Sequence, residues 1–174
     1  SFIGQLFKTI GKHVPPPAGV QVVKVQSAAQ MLDAVESALP VDAGVFAAAV
    51  ADWRVATSSN SKIKKQNGKL PVLEFAENPD ILAQISQKTS GRPPLVVGFA
   101  AETDDVIANA TAKRKRKGCD WIVANDVSPE TGIMGGSEND VMLISDSGSE
   151  DWPRMSKEAV AEKLAQKIAQ ELTQ

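Results

Sequence analysis

The hydrophobic positions of the chain alternate between short apolar segments of strand length and stretches with helical spacing. Segments of the first kind lie at residues 20–25, 45–53, 95–102 and 119–126. In stretches that separate them, apolar side chains recur every three or four residues, as on one face of a helix. Strands that alternate with helices in this way are typical of βαβ units. The pattern therefore predicts the α/β class, with a Rossmann-like, doubly wound and mainly parallel sheet.

Two segments interrupt this alternation. Residues 1–19 are mixed in character and end in a run of prolines, so we predict an irregular N-terminal segment there. Residues 54–68 are polar and basic, and we predict a mobile loop, followed by a strand at residues 70–75. Residues 20–174 are expected to form the α/β core of a single domain that spans residues 1–174.

Capping residues mark the predicted helices. Asn78 is the predicted N-cap of one helix, with Pro79 at its first position. Thr103 is the predicted N-cap of the next helix, which is expected to end at Gly118. The inward face of this second helix is predicted to carry Val106, Ile107 and Ala110.

A hairpin and an amphipathic helix are predicted at the C-terminal end. Val141–Ser145 and Trp152 indicate a last hairpin at the edge of the sheet. Ser156 is the predicted N-cap of a terminal helix. One face of that helix is predicted to carry Val160, Leu164, Ile168 and Leu172.

The apolar run Val45–Trp53 is unusually rich in alanine for a buried strand, where Val and Ile pack better. Small side chains there indicate that a ligand approaches the backbone. The run reaches Asp52, and the next two predicted strands end at Glu102 and Asp126. Polar residues that merely end a strand are the alternative for each acid alone. Three acids on one sheet edge predict a polyphosphate site with a divalent cation.

Cations form a second cluster in the sequence. Lys113 and Lys117 begin and end a run of five basic residues at the end of a predicted helix, and their spacing of four places them on one side. Together with Lys62 of the basic loop, they are predicted to neutralise a triphosphate. A solvated basic helix end is the simpler alternative. Nucleic-acid binding is disfavoured because no aromatic residues interleave with the run.

Composition excludes several other classes of function. A single cysteine and a single histidine exclude a Cys/His zinc site and an internal disulfide, and the net charge of −2 disfavours a general nucleic-acid binder. No apolar run approaches the length of a membrane span, and we expect a cytoplasmic protein. The sequence contains no P-loop, no Gly-x-Gly-x-x-Gly fingerprint and little material for a nucleophilic triad.

Taken together, these segments resemble phosphopantothenoylcysteine synthetase, the nucleotide-dependent ligase of coenzyme A biosynthesis, in its bacterial CTP-using form. The resemblance runs from about Pro16 to the C-terminus. It is carried by motifs in the family's order and spacing, namely Ala47–Trp53, Lys62–Lys65, Asn78–Ile81, Gly98–Thr103, Lys113–Lys117 and Ala124–Val127.

The resemblance implies a ligation in two steps. The carboxylate of 4′-phosphopantothenate attacks the α-phosphate of CTP, which releases pyrophosphate and leaves an acyl-cytidylate. The amine of cysteine then displaces CMP and forms the amide. Mg²⁺ or Mn²⁺ accompanies the CTP, and the choice of CTP over ATP rests on the bacterial likeness alone. A homodimer is implied, and bacterial members are commonly fused behind a flavin-dependent phosphopantothenoylcysteine decarboxylase.

The resemblance also implies roles for individual residues. Lys62 matches a catalytic lysine at the root of a flap that closes over the nucleotide. Asp52 contacts the nucleotide and is the expected carboxylate near the metal ion, through the phosphates. The full set of implied nucleotide-binding residues is Phe46, Ala47, Ala48, Asp52, Lys62, Asn78, Pro79, Asp80, Ile81, Phe99, Lys113 and Lys117.

The start of the chain departs from the family. The family begins with a strand and a Gly-rich turn whose Asn and Arg handle the acyl phosphate, and residues 1–13 do not reproduce them. We therefore expect a synthetase without its N-terminal part, with weak CTP binding and poor turnover. The main alternative is a non-catalytic nucleotide-binding or dimerisation fragment of that enzyme. A dinucleotide-dependent reductase suits the predicted sheet but lacks the glycine fingerprint.

Overall fold

The computed structural model describes residues 5–8, 18–56, 73–128 and 138–173. The chain separates into two compact units, of which the first comprises Ser1–Ala34 and Ala49–Asp80, and the second comprises Val35–Ala48 and Ile81–Gln174. The prediction of one synthetase domain stays a prediction. In chain order the elements are β1 (Gln5–Lys8), β2 (Gln21–Lys24), α1 (Ala28–Ala38), β3 (Ala43–Phe46), β4 (Trp53–Val55), β5 (Phe75–Glu77), α2 (Ile81–Ser86), β6 (Leu95–Glu102), α3 (Val106–Lys117), β7 (Trp121–Asp126), β8 (Glu138–Ser145), β9 (Gly148–Ser156) and α4 (Lys157–Glu171).

A five-stranded sheet in the order β3-β6-β7-β8-β9 organises the second unit. Strands β3, β6 and β7 are parallel, whereas β8 and β9 form the predicted antiparallel hairpin at one side. The connection from β6 to β7 runs through α3, as in a βαβ unit. The predicted α/β class, with its Rossmann-like doubly wound sheet, C-terminal hairpin and final helix, is confirmed.

Side chains on the two faces of this sheet form separate cores. Leu95 and Val97 of β6 join the core on which α4 packs. Val96, the residue between them, joins a second core with α3 and Leu82 of α2. This alternation follows from the period of two in a strand. Val96 and Val97 are fully buried, and each stabilises the fold by about 1.5–3 kcal/mol relative to an exposed side chain.

Gly98 of β6 allows α2 to lie close to the sheet. A Cβ atom at this position would come within 2.6 Å of Leu82 Cδ2 and 2.8 Å of Ile122 Cδ1. Both distances are shorter than two carbon atoms tolerate, so a larger residue would displace the side chains of Leu82 and Ile122. The small side chain here serves the packing of a helix on the sheet.

The first unit contains two small sheets. Strand β1 pairs with β2 in parallel, so residues 5–8 form a strand within the segment that we predicted to be irregular. Strand β4 pairs with β5 in antiparallel fashion, with Val55 opposite Phe75. The long apolar side chains Trp53 and Phe75 are 58% and 64% exposed. The predicted strand at residues 70–75 is observed as Phe75–Glu77, and residues 57–72 lie outside the described part of the chain.

Helix ends agree with the predictions in part. The Ser156 hydroxyl accepts a 3.1 Å hydrogen bond from the Ala159 amide, which confirms the cap of α4. Gly118 ends α3 in the left-handed conformation, with φ of 76°. Thr103 is not the cap of α3, because the helix begins at Val106 and Asp105 takes the N-cap position. No helix of the described residues is long and apolar enough to cross a bilayer.

The inward face of α3 is narrower than we predicted. Val106, Ala110 and Arg114 lie four residues apart, and Ala110 and Arg114 are buried. Ile107 was predicted to point inward but is 50% exposed, because a one-residue step turns the side chain by about 100° around the axis. On α4 the predicted apolar face is confirmed, with Val160, Leu164 and Ile168 buried and Leu172 packed against them.

Candidate active site

The carboxyl edge of the central sheet brings together two of the three predicted acids. Glu102 and Asp126 end the adjacent parallel strands β6 and β7 and are partners in their register. Asp52 does not belong to this edge. Strand β3 ends at Phe46, opposite Gly98, and Asp52 lies just before β4 in the first unit. The predicted strand through Val45–Asp52 was therefore wrong in its second half, because pairing with β6 stops while the apolar run continues.

Asp126 is held as a carboxylate at this edge. Its Oδ1 accepts a 2.8 Å hydrogen bond from the Ser128 amide. Hydrogen bonds from Ser128 keep the pKa of Asp126 below its usual range. The Val127 amide donates to the Glu102 carbonyl at 2.9 Å, which continues the pairing of the two strands beyond Asp126. Two acidic side chains thus project from a backbone that is fixed by hydrogen bonds.

The two predicted aromatic residues occupy opposite faces of the sheet. Phe46 pairs with Gly98 and packs against the core that contains Ala110. Phe99, the next residue in β6, packs against the core that contains Trp152. Both rings are partly buried. The two rings lie on opposite faces of the sheet because Phe46 is paired with Gly98, and adjacent residues of a strand point to opposite faces.

Ala47 and Ala48 follow β3 directly and are exposed. They lie in the second unit, where their small side chains leave the backbone after Phe46 open to an approaching molecule. The sequence argument placed these alanines in a buried strand, and the structure places them beyond the end of β3 instead. Their role in nucleotide binding stays a prediction.

Within the first unit, Asn78 is bonded to the segment that carries Asp52. The Asn78 amide donates to the Asp52 carbonyl at 2.8 Å, and its side-chain Nδ2 donates to the Ala51 carbonyl at 2.8 Å. The predicted cap was wrong, because α2 begins at Ile81 and Asn78 continues the pairing of β4 with β5 instead. Two predicted site residues are thus held together by backbone contacts that the sequence did not indicate.

The remaining residues of the Asn78–Ile81 motif differ in exposure. Pro79 is partly buried and Asp80 is exposed at the end of the first unit. Ile81 begins α2 in the second unit and is only 6% exposed. Because its side chain lies in the core, any contact of Ile81 with a ligand would come from its backbone.

Lys113 and Lys117 lie in the last turns of α3 and are partly buried. The rise of an α-helix places Lys113 about 10 Å, and Lys117 about 16 Å, beyond the first residue of α3, which follows the carboxyl end of β6. The two lysines therefore lie farther from the carboxyl edge of the sheet than Glu102 and Asp126 do. A nucleotide that touches both groups must extend along α3.

Arg114, in the middle of the basic run, is a structural residue that the sequence analysis missed. Its side chain is 8% exposed, and its Nη2 donates to the carboxylate of Asp146, whose side chain is 94% exposed. Its Nη1 donates to the Asp120 carbonyl at 3.0 Å. The guanidinium holds the pKa of Asp146 below its usual range. The only sequence signal was the spacing of four from the inward-facing Ala110.

Arg92 was missed as well. Its guanidinium donates to the Ser86 carbonyl at 2.7 Å, the Pro93 carbonyl at 2.8 Å and the Gly118 carbonyl at 3.2 Å. It also forms a 2.9 Å ion pair with Asp120, whose carboxylate accepts a 2.7 Å bond from the Val96 amide. A single arginine thus ties the ends of α2 and α3 to the starts of β6 and β7.

A cavity of about 660 Å³ lies at the amino edge of the sheet, opposite Glu102 and Asp126. Trp121 and Leu143 are among its apolar lining residues. Three of its acids are already paired, namely Asp120 with Arg92, Asp146 with Arg114, and Glu150 with Lys167 at 2.6 Å. None of the predicted nucleotide-binding residues lines it. We therefore do not assign the nucleotide to this cavity.

The predicted catalytic Lys62 lies outside the described residues, as do residues 57–68 of the predicted basic loop and the Gly-rich residues 131–137. Residues 54 and 55, which we predicted to begin that loop, belong to β4. Among the residues that are described, no group of three or more His, Cys, Asp or Glu side chains could hold a metal ion. Cys119 is buried and unpaired in any disulfide, and burial raises the pKa of its thiol. A buried, protonated thiol is a poor nucleophile.

Comparison with known proteins identifies the family. The model of the DNA/pantothenate metabolism flavoprotein C-terminal domain matches residues 9–172. The coenzyme A biosynthesis bifunctional protein CoaBC of Vibrio cholerae is 38% identical over 162 residues, which are 92% of this chain and 40% of that protein. CoaBC of Mycobacterium tuberculosis is 40% identical over 161 residues, or 87% of this chain and 38% of that protein. The chain thus spans less than half the length of these curated relatives.

Solved structures share the fold. The crystal structure of a CoaBC C-terminal domain matches with a TM-score of 0.75 at 30% identity, covering 97% of this chain and 74% of that one. A mutant of Cab2 in complex with phosphopantothenate-cysteine matches with a TM-score of 0.65 at 17% identity, covering 89% of this chain and 53% of that one, and shows the fold alone. The resemblance seen in the sequence motifs is confirmed, and the chain belongs to the family of the DNA/pantothenate metabolism flavoprotein C-terminal domain.

Proposed function

We propose that the chain is a phosphopantothenate–cysteine ligase that uses CTP and works in coenzyme A biosynthesis. The observation that carries the proposal is the 38–40% identity to CoaBC proteins over about nine-tenths of the chain. The reaction proceeds through an acyl-cytidylate formed from 4′-phosphopantothenate and CTP, and cysteine then displaces CMP. Such chemistry depends on positioning and on stabilising phosphate charge, which suits a chain with little material for a nucleophilic triad.

Different residues of the chain bind the nucleotide and stabilise the charge that develops on its phosphates. Lys62 stabilises the charge that develops on the α-phosphate when the carboxylate attacks. Lys113 and Lys117 hold the negative charge of the bound nucleotide, and the exposed Ala47 and Ala48 let it lie close to the backbone. Asn78 fixes the segment that carries Asp52 through its two 2.8 Å bonds. The residues with these roles lie on separate segments of the chain.

The metal ion of the proposed reaction is Mg²⁺ or Mn²⁺, carried by the phosphates of CTP. The residues fit this mode, because the described part of the chain offers the neighbouring carboxylates of Glu102 and Asp126 rather than a cluster of three or more ligands. Mg²⁺ at nucleotide sites takes one or two carboxylates and completes its shell with phosphates and water. Asp52 of the first unit is the proposed carboxylate, and Glu102 and Asp126 of the second unit are separate candidates. The ion would neutralise the triphosphate.

A homodimer is part of the proposal, and the sheet of β4 and β5 offers a surface for it. Trp53, Val55 and Phe75 are 58%, 39% and 64% exposed, and cross-strand partners share a face of this sheet. A two-stranded sheet is marginally stable on its own, so a second copy that covers this face would stabilise it. Phe75→Glu is expected to convert a dimer to a monomer in sedimentation velocity. An unchanged dimer would remove this face from the proposal.

Titration calorimetry tests the nucleotide part of the proposal. CTP is expected to bind the chain in the presence of Mg²⁺, and more tightly than ATP. Binding of neither nucleotide would overturn the proposal, and equal binding of both would overturn the assignment to CTP.

Lys62→Gln then separates a ligase from a nucleotide-binding module. We expect the rate of CTP-dependent pyrophosphate release, measured with 4′-phosphopantothenate and cysteine, to fall by about 100-fold or more. The CTP affinity should change by less than about five-fold, since the lysine acts on charge that develops in the transition state. Lys65→Gln, in the same basic run, is the matched control. A loss of affinity without a selective loss of rate would favour the module.

A further inference from the structure

The geometry points to Arg114 as a positioning residue for nucleotide binding, which acts by fixing the end of α3 that presents Lys113 and Lys117. Asp146, in the turn between β8 and β9, anchors it. The inference rests on the proposed nucleotide contacts of the two lysines. It adds a part to the site that touches no nucleotide, and it assigns a role to Asp146, at the opposite edge of the sheet from Glu102.

The end of α3 is held from outside the helix. Gln87 Nε2 donates to the carbonyls of Arg116 at 3.3 Å and Lys117 at 3.4 Å. Arg92 donates to the Gly118 carbonyl at 3.2 Å, and the Gly118 amide closes the helix onto the Arg114 carbonyl at 2.9 Å. The last carbonyls of a helix have no partner within the helix itself, so these bonds stop the last turn from fraying.

Arg114 adds a side-chain anchor to these backbone contacts. It is the buried member of the basic run, and its guanidinium reaches the start of β7 through the Asp120 carbonyl at 3.0 Å. Its second contact, with the Asp146 carboxylate, reaches the β8–β9 turn. Three elements are therefore joined at one planar group, which fixes how α3 is rotated about its own axis.

The basic run at the end of α3 needs such an anchor because its positive charges repel one another. Lys113 and Lys117 are like charges four residues apart, a spacing that destabilises a helix. Lys115 and Arg116 add two more cations to the same turn. The negative end of the helix dipole offsets part of this repulsion, and the Arg114 anchor adds to that stabilisation. With Arg114 anchored, the last turn stays helical and keeps Lys113 and Lys117 on one side of α3, which lowers the ordering cost when a triphosphate binds.

Asp146→Asn tests the inference, with CTP affinity measured by calorimetry in the presence of Mg²⁺. We expect the affinity to fall about three- to ten-fold. Asp146→Glu keeps a carboxylate within reach and should restore most of the affinity. Arg114→Lys keeps the charge but loses the fork that reaches both partners, so it should show a similar loss. Thermal unfolding of each variant identifies any that fails to fold.

A matched control and a double variant separate positioning from general damage. Glu138→Gln makes the same charge change on the same hairpin and breaks a 3.0 Å surface pair with Arg154, so the CTP affinity should not change. In a Lys113→Ala background, Asp146→Asn should have much less effect than in the wild type, because one presented charge is already absent. A loss of stability alone would give the same effect in both backgrounds.

Two results would overturn the inference. One is wild-type CTP affinity in a folded Asp146→Asn variant, and the other is an undiminished effect of Asp146→Asn in the Lys113→Ala background. If Lys113→Ala and Lys117→Ala leave the CTP affinity unchanged, the proposed lysine contacts fail, and the inference fails with them. If the lysine variants weaken binding but Asp146→Asn does not, only the positioning role is lost.

Discussion

The two edges of the central sheet use charged side chains in different ways. At the amino edge, Arg92 pairs with Asp120 at 2.9 Å and Arg114 pairs with Asp146. At the carboxyl edge, the strands end in acids beside exposed alanines, and the hydrogen bond that fixes Asp126 comes from a backbone amide two residues away. Paired charges hold elements together, whereas a ligand site needs polar groups that can still accept a partner.

The two edges differ in how much their charged side chains stabilise the fold. The chain turns from α3 into β7 at the amino edge. The two arginines that the sequence analysis missed, Arg92 and Arg114, donate hydrogen bonds at this turn. The ion pairs of Arg92, Arg114 and Lys167 lie toward the amino edge, whereas the carboxyl edge carries the more exposed pair of Arg154 and Glu138 on the β8–β9 hairpin. In open α/β sheets ligands bind outside the carboxyl ends of the strands. The partly buried ion pairs, which lie toward the amino edge, agree with that rule.

Arg92→Ala should produce the largest loss of stability at the amino edge. The substitution removes the donor of four hydrogen bonds and leaves Asp120 without its cation. We expect the free energy of unfolding to fall by about 2–4 kcal/mol, a range that allows for the 25% exposure of the Arg92 side chain. Urea denaturation measures this change.

Arg116→Ala is the control for this experiment, because Arg116 is an exposed residue of the neighbouring helix. Its removal should change the free energy of unfolding by no more than about 0.5 kcal/mol. Equal effects of the two substitutions would show that the arginine at the joint does not brace the fold, and the contrast between the edges would then lose its basis.

Glu102→Gln should have the opposite profile at the carboxyl edge. We expect the free energy of unfolding to change by less than about 0.5 kcal/mol, because Glu102 is a partly exposed strand end. Calorimetry with CTP and Mg²⁺ should show affinity about ten-fold weaker, which corresponds to about 1.4 kcal/mol. A stable variant with unchanged affinity would exclude Glu102 from the site and leave Asp52 as the proposed carboxylate.

The central elements of the second unit were predictable because their signals are local. Strands β6 and β7 are continuous apolar runs, Ser156 caps α4 through a residue three positions away, and Gly118 ends α3 in the left-handed region. Each of these features depends on a few neighbouring residues. The fold class follows once such strands and helices alternate.

The misses concern contacts between distant residues. Arg114 appeared in the sequence as one of five equivalent cations, and nothing local linked it to Asp146, which lies 32 residues further along the chain. Asn78 had the sequence of a helix cap, but its bonds go to Ala51 and Asp52, across the β4–β5 pairing. The end of β3 at Phe46 depended on where pairing with β6 stops. All three features depend on contacts between residues that are far apart in the sequence.

Glu150→Gln should have the smallest effect on the free energy of unfolding, and this effect should depend on pH. Lys167 donates to Glu150 at 2.6 Å, and this bond, with a second from the Trp152 indole at 3.0 Å, lowers the pKa of Glu150 from its usual 4.5. A lowered folded pKa stabilises the fold above the unfolded pKa, and this contribution is lost as the pH falls through the folded value.

We therefore expect Glu150→Gln to lower the free energy of unfolding at about pH 7 by less than about 1 kcal/mol, because the pair is partly exposed and screened. The difference from the wild type should shrink below pH 4.5, where the wild-type carboxylate begins to bind its proton. Urea denaturation at several pH values measures it, with the exposed Glu162→Gln on α4 as control. A difference that stays constant with pH would mean that lost packing, rather than the Lys167 pair, weakens the variant, and the bracing of the amino edge would then rest on Arg92 and Arg114 alone.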